Sequence, residues 1–292
     1  MPRLSEKYIA GFLDADGCIR VMFRKDTTRP QMQVSFSQKS GWDEVLHRIQ
    51  EVAGGTVSKS TVKGREYSRL IISGKNARML LERIAKHLVL KRKQAFAALD
   101  VANRPTDDPD GVKTMLRDAR ESRLDALPNF PTRKWLAGYF DGDGCLSVTR
   151  IKRLGGATMV AHVAAADYDA DGLELLQKAF GGRIHDMRQG CKQWVLHLPA
   201  SKAKVFLGHF AKHSIVKRDQ IHFVLGCAKM GHYRDGKNIK AQLKALKAQE
   251  QRLSDSEVAS LVSKVRDLPP QKRSDYEQFT RDDRGRITGK AA

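Results

Sequence analysis

Two short runs of this chain place carboxylates where they can hold a hard cation. The first is Ile9-Ala10-Gly11-Phe12-Leu13-Asp14-Ala15-Asp16-Gly17 and the second is Leu136-Ala137-Gly138-Tyr139-Phe140-Asp141-Gly142-Asp143-Gly144. Each is apolar, carries small residues four apart (Gly11/Ala15 and Gly138/Gly142), and ends in Asp-x-Asp-Gly. Residues i and i+4 share one face of a helix, so each run offers a smooth stripe that lets another backbone come close. Stripe packed on stripe brings the two C-terminal ends together and sets Asp16 beside Asp143. Adjacent carboxylates repel unless positive charge lies between them, and a cation such as Mg²⁺ with oxygen ligands answers that need.

The elements that must position these runs also come twice. Residues 5–13 read as the first helix, with Ser5 as N-cap. After Asp16-Gly17 the period changes to two: Ile19, Val21 and Phe23 face a core, while Cys18, Arg20, Met22 and Arg24 face out. A second strand sets Met32, Val34 and Phe36 inward and Gln31, Gln33, Ser35 and Ser37 outward. A helix over 41–53 stops at Gly54-Gly55; strands near 56–62 and 66–72 follow, with Ser58, Ser60, Tyr67 and Arg69 outward. Helices near 75–88 and 90–101 complete the set.

Residues 103–131, rich in Asp and Pro, read as a linker with a charged helix over 112–127. The order then replays: a helix over 132–140 with Thr132 as N-cap, strands near 145–151 and 157–165, a helix near 169–180, strands near 183–189 and 192–198, and helices near 200–212 and 216–230. Asp16 and Asp143 are 127 apart, as are Gly54 and Gly181, while Lys91 and Lys217 are 126 apart. A constant offset over such a length marks one structural unit used twice. The domains are therefore 1–102, a linker at 103–131, a second repeat at 132–231, and a basic extension at 232–292. In the extension, helices are expected over 237–253 and 254–268, the latter with a Ser254/Glu257 capping box. The polar end beyond Pro269-Pro270 is expected to be disordered.

Composition narrows the partner. Against 33 Asp and Glu stand 53 Lys and Arg, a net +20 in 292 residues, which calls for a polyanion, nucleic acid ahead of a membrane surface. No apolar run approaches a membrane span, and no signal-peptide core follows Met1. Four cysteines without C-x-x-C spacing suggest neither a zinc site nor a disulfide framework, and read as reduced thiols in an intracellular protein, of the cytoplasm or an organelle matrix.

The two nine-residue runs, each followed by an alternating strand, resemble the LAGLIDADG motif, and the chain resembles a single-chain, two-repeat LAGLIDADG homing endonuclease. The resemblance implies an α+β fold of two pseudo-symmetric α-β-β-α-β-β-α-α repeats, each with a curved four-stranded antiparallel sheet, together forming a DNA-binding saddle. It also implies a monomer that cuts a long, weakly palindromic double-stranded DNA target and leaves short 3′ overhangs. The last acid of each motif, Asp16 and Asp143, would bind two or three Mg²⁺ ions at the repeat interface; no backbone ligand is assigned. Asp14 and Asp141 read as structural. Lys91 and Lys217, at the start of the last helix of each repeat, match the family's basic residue near the scissile phosphate. Gln38, at the end of the second strand, matches its water-orienting residue. The second repeat departs there, with Ala165 at the ungapped counterpart and Asp167 two residues on, so the two DNA strands need not be cut alike. Base contacts would come from Arg20, Met22, Arg24, Gln31, Gln33 and Ser35, with Ser37, Ser58, Ser60, Tyr67 and Arg69 on the same sheet. The second sheet would use Ser147, Thr149, His162, His185, Met187 and Gln193. Arg and Gln form bidentate pairs with guanine and adenine, so the first half is expected to read its half-site more stringently. An intron RNA-splicing maturase on this fold, or a DNA-binding regulator without cleavage, stays open as an alternative.

Overall fold

The computed structural model describes residues 4–23, 30–102, 108–122, 124, 130–151, 156–166, 170–229, 236–249, 252–266, 279–281 and 287–290. The first repeat comprises α1 (Glu6–Asp16), β1 (Gly17–Met22), β2 (Gln31–Lys39), α2 (Glu44–Ala53), β3 (Thr56–Val62), β4 (Arg65–Ser73), α3 (Gly74–Ile84) and α4 (Arg92–Val101). A linker helix, α5 (Pro109–Glu121), follows. The second repeat comprises α6 (Arg133–Asp143), β5 (Gly144–Ile151), β6 (Gly156–Ala166), α7 (Asp171–Phe180), β7 (Arg183–Asp186), β8 (Cys191–Leu198), α8 (Ala200–Gly208) and α9 (Arg218–Lys229). Beyond it lie α10 (Gly236–Ala248), α11 (Asp255–Arg266), β9 (Phe279–Arg281) and β10 (Ile287–Lys290). Among the described residues no helix is long and apolar enough to cross a membrane, and all four cysteines are free.

Each repeat builds one antiparallel sheet, in the orders β1-β2-β4-β3 and β5-β6-β8-β7. The period-two pattern sets their faces. Ile19, Met32, Val34, Phe36, Leu70 and Ile72 are buried against helices, as are Leu146, Met159, Ala161, Val163, Trp194 and Leu196. The expected α+β two-repeat fold with its paired sheets is the one observed.

Between the repeats runs the seam of α1 on α6. A Cβ added to Gly11 would sit 2.0 Å from the Trp135 carbonyl oxygen, and one added to Gly138 would sit 2.1 Å from that of Tyr8. A Cβ on Gly142 would meet the Cβ of Ala15 at 2.4 Å. Only missing side chains let the two backbones approach this closely. Tyr8, Ile9, Phe12, Leu13, Trp135, Leu136, Tyr139 and Phe140 fill the space on either side.

Several boundaries differ from the sequence expectation. Both motif helices run a turn further, through Asp16 and Asp143, and pass straight into strands at Gly17 and Gly144, because the aspartates are held in the last turn rather than in a loop. The helices expected at 75–88 and 200–212 end early and tighten into 3₁₀ turns at Ala85–His87 and Ala211–His213. The strand expected at 183–189 stops at Asp186, and a 3₁₀ turn over Arg188–Gly190 follows, with Gln189 and Gly190 in the left-handed region. Helix α10 ends at Ala248, five residues short of the expected 253. The capping box of α11 is present, Glu257 N donating to Ser254 Oγ (3.3 Å) and Ser254 N to Glu257 Oε2 (2.7 Å). Within the stretch beyond Pro269-Pro270, the described residues form β9 and β10, which pair as an antiparallel ribbon.

The repeat offset also continues into the linker and the extension. Helices α5 and α10 are both 13 residues long and start 127 apart, with Leu116 matched by buried Leu243 and Val112 by buried Ile239. Linker and extension are thus two copies of one further helix. They pack differently: α5 lies on α4, whereas α10 lies along β5 and reaches β6 and α9.

Candidate active site

An α-helix leaves its last four carbonyls without intrahelical donors. Here α1 and α6 end side by side, and a lysine from the opening of the last helix of each repeat supplies the missing donors. Lys91 Nζ donates to the carbonyls of Leu13 (2.8 Å), Asp14 (2.6 Å) and Ala15 (3.2 Å). Lys217 Nζ donates to Asp141 O and to Gly142 O, the latter at 3.0 Å. Positive charge at a helix C-terminus also complements its dipole.

The inner aspartate of each motif faces away from the site. Asp14 accepts from Val89 N (2.7 Å), Lys91 N (2.8 Å) and, across the seam, Trp135 Nε1 (2.8 Å). Asp141 accepts from Ser214 Oγ (2.5 Å), Ile215 N (2.6 Å), Lys217 N (3.0 Å) and, across the seam, Tyr8 Oη (2.7 Å). Each buried carboxylate therefore ties its own last helix to the partner repeat. Burial pushes the Asp14 carboxyl above the ordinary range, opposed by the N–H groups and charge of Lys91. Burial drives the Tyr8 hydroxyl well upward, and Asp141 adds to it, so the phenol stays protonated. Residue type alone does not mark Tyr8 and Trp135 as donors; their matching positions, 127 apart, are the signal that the sequence carries.

The outer aspartates are the ones brought together. The Cβ position of Gly142 lies 3.3 Å from Asp16 N and 3.5 Å from Asp16 Cγ, so the Asp16 carboxyl is packed against the turn that ends in Asp143. Gln38, at the end of β2, donates its Nε2 to Asp16 Oδ2 at 2.6 Å. Burial raises the Asp16 carboxyl, opposed by the nearby charges of Lys217 and Lys91. Burial lowers the Lys217 ammonium, opposed by Asp141, Asp16 and Asp143. Asp16, Asp143, Lys91, Lys217 and Gln38 are thus one cluster. Ala165 sits at the position matching Gln38; Asp167 lies outside the described residues.

Strand register sorts the expected base-contacting residues into rows. Across the first sheet, Arg20 stands beside Gln33 and Ser73, Ser37 beside Arg69 and Ser58, Tyr67 beside Ser60, and Met22 beside Gln31. Arg69 Nε is buried without a hydrogen-bond partner among the described residues. Ser35 is a correction: it is buried, its one-carbon side chain sunk between Cys18 and Ile71 on the flanking strands. Arg24 lies outside the described residues. On the second sheet, Ser147 pairs with Val160, Thr149 with Thr158, and His185 with Gln193. Thr158 and Val160 are buried although they alternate with the core residues Met159 and Ala161. Met187 directly follows β7 in extended conformation: its N–H donates to Cys191 O of β8 at 2.7 Å, and its side chain is exposed ahead of the 3₁₀ turn. His162 pairs with Cys145, whose Sγ lies 3.1 Å from Lys247 Nζ of α10. Burial pushes the Cys145 thiol up, but hydrogen bonds from His162 and Lys247 outweigh it and hold the thiol at about 7.

Comparison with known proteins agrees with this geometry. Residues 9–97 match the family model described as LAGLIDADG endonuclease. The chain is similar to the DNA endonuclease I-CvuI of Chlorella vulgaris, 33% identical over 115 residues that span 37% of this chain and 70% of that protein. Among solved structures it resembles the LAGLIDADG homing endonuclease I-GzeII in complex with its DNA target (TM-score 0.61, 16% identity, 92% of this chain and 99% of that one). It also resembles the meganuclease I-AabMI bound to uncleaved DNA (TM-score 0.60, 18% identity, 84% and 99%). A third likeness is to I-SmaMI bound to cleaved DNA (TM-score 0.61, 17% identity, 86% and 98%). Sequence likeness to a curated relative and a doubled fold with paired motif helices at its seam lead to one assignment: the chain belongs to the LAGLIDADG homing endonuclease family.

Proposed function

We propose that this protein is a site-specific endonuclease that makes a Mg²⁺-dependent double-strand break in a long, weakly palindromic DNA target and leaves short 3′ overhangs. The observation that carries the reading is the meeting of Asp16 with the Gly142-Asp143 turn at the seam, flanked by two lysines and by the outer faces of two sheets. The relatives named above are endonucleases, several of them crystallised on DNA. Two related but unlike sheets suit two related but unlike half-sites.

The donor set fits the metal. Asp16 and Asp143 offer hard carboxylate oxygens, and among the described residues no group of three or more His, Cys, Asp or Glu that could hold a metal ion occurs. Mg²⁺ is commonly held by one or two carboxylates, with water and substrate phosphate completing its shell. When bound, two or three such ions supply Lewis acidity at the phosphoryl group and a nucleophilic water at neutral pH. The chain's own residues do the rest. Gln38 fixes the rotamer of Asp16 through its amide. An ammonium has three N–H donors. Lys91 spends all three on carbonyls and acts as a fixed charge, whereas Lys217 uses two among the described residues, which leaves its third for a phosphate oxygen or a water. Both oppose the charge that develops on the phosphoryl oxygens. Arg20, Gln31, Gln33 and Arg69 read base edges in the major groove, and the surplus of Lys and Arg contacts phosphates, so binding weakens steeply with salt.

The test is cleavage of a randomised duplex library with and without Mg²⁺, using Asp16→Asn and Asp143→Asn proteins as controls. One long recovered site, cut only with the metal and by neither variant, is the expected result. Duplex binding without cleavage by the wild type would sink the nuclease reading in favour of a regulator. Retention of structured RNA alone would favour a maturase.

A further inference from the structure

At the end of the seam opposite Asp16 and Asp143 lies a cleft of about 470 Å³ lined by Ser5, Glu6, Lys7, His87, Thr132, Arg133, Lys134 and His213. These are four matched pairs, Ser5/Thr132, Glu6/Arg133 and Lys7/Lys134 at 127 residues apart and His87/His213 at 126, the spacing of Lys91 and Lys217. The cleft therefore straddles the pseudo-two-fold axis. An 11-residue helix is about 16 Å long, so DNA at the far end of α1 and α6 leaves this cleft free.

Its charge is not balanced from within. Glu6 is engaged by Arg83 Nε at 2.9 Å and His87 Nε2 at 3.8 Å, and its counterpart is the cation Arg133. Lys7, Arg133 and Lys134 are exposed, and among the described residues no carboxylate lies within ion-pair distance of them. Burial first, and the neighbouring cations second, disfavour the charged form of both histidines. His87 is lowered by burial and by Lys86 and Lys7, with Glu6 opposing; His213 is lowered by burial and by Lys212, Lys134 and Arg133. Arg133 also lowers His209, the residue after α8, with burial the larger cause. Cations spread along a stripe would suit a nucleic-acid backbone. These converge from both repeats on one cleft, which suits a compact anion.

We propose that this cleft is a binding site for a small polyphosphate carrying at least two phosphoryl groups, separate from the DNA-binding face. Lys7 and Lys134 would take one phosphoryl group each across the axis, with Arg133 bidentate on one of them. Anion binding favours protonated His87 and His213, so affinity should rise as pH falls through their titration.

The experiment follows the imidazole signals of full-length, histidine-labelled protein by NMR during titration with inorganic pyrophosphate at constant ionic strength. The expected result is a saturable response in which the midpoints of His87 and His213 move up by roughly half a unit or more. The exposed triple variant Lys7→Gln/Arg133→Gln/Lys134→Gln should weaken this binding at least about tenfold, one unit of log K, while its thermal unfolding and DNA cleavage stay at wild-type levels. An equal response to sodium chloride at matched ionic strength would overturn the proposal, as would unchanged affinity in the triple variant. Displacement of pyrophosphate by target duplex would place the anion on the DNA face and would also overturn it. Since none of these residues belongs to the cleavage cluster, failure here would leave the nuclease reading untouched.

Discussion

In the first sheet one row across the strands reads Arg20, Gln33, Ser73; the matching row of the second reads Ser147, Val160, His197. Below those rows the halves are far more alike. Asp14 and Asp141 each collect the backbone N–H groups that open the last helix and one aromatic donor from the other repeat. Lys91 and Lys217 each cap a motif helix. The contrast teaches where duplication is rigid. A buried carboxylate with several donors tolerates no substitution without stranding polar groups, whereas an outward strand position can change its base preference without disturbing the fold. One difference reaches the backbone itself: Gln94 Nε2 of α4 caps Ile19 O at 3.3 Å, while the matching Leu146 O takes Lys247 Nζ of α10 at 2.6 Å.

The two lysines offer the largest test of that contrast. Lys217→Met removes a donor with one N–H to spare and should slow cleavage about 10²-fold, measured as strand-resolved single-turnover rates. Lys91→Met removes a saturated cap and should lower the melting temperature more and the rate less. Equal rate losses would mean that donor bookkeeping is irrelevant.

At the seam, the asymmetry is a methyl group, Ala15 facing Gly142. Gly142→Ala forces two Cβ atoms together from an ideal separation of 2.4 Å and should cost about 2 kcal/mol in denaturant unfolding. Moving the methyl across, in the Ala15→Gly/Gly142→Ala protein, should recover most of that loss. A purely additive double variant would show that the contact is relaxed elsewhere.

The cross-seam donors should be closer to equivalent. Trp135→Phe leaves an Asp14 oxygen short of one bond, and Tyr8→Phe does the same to Asp141, each costing about 1–2 kcal/mol. A loss in one variant alone would mean that the two networks carry unequal loads.

The smallest effect belongs to the one position of the site cluster where the halves visibly diverge. Gln38→Ala should slow cutting of one strand about tenfold and make the two strands more alike, and Ala165→Gln should speed the slower strand of the wild type. Plasmid nicking assays distinguish the strands. Unchanged strand bias in both proteins would remove Gln38 from the reaction.

The chain alone determined a good deal of this. Its 127-residue offset, its small-residue stripes and the switch from apolar to alternating period specify two copies of one unit and bring their motif helices together, because small residues four apart share a helix face on which another backbone can lie close. Asp16 and Asp143 follow from that geometry. Other features are matters of three-dimensional surroundings that residue type does not encode. Ser35 has the pattern of an outward residue and is buried because its flanking neighbours are taller. Met187 continues an alternation that a left-handed turn interrupts. The match of α5 to α10 rests on few apolar positions, and only their lengths and places after α4 and α9 make it plain. Whether a lysine aims at a phosphate or caps a helix depends on which carbonyls lie within reach, and tertiary packing alone decides that.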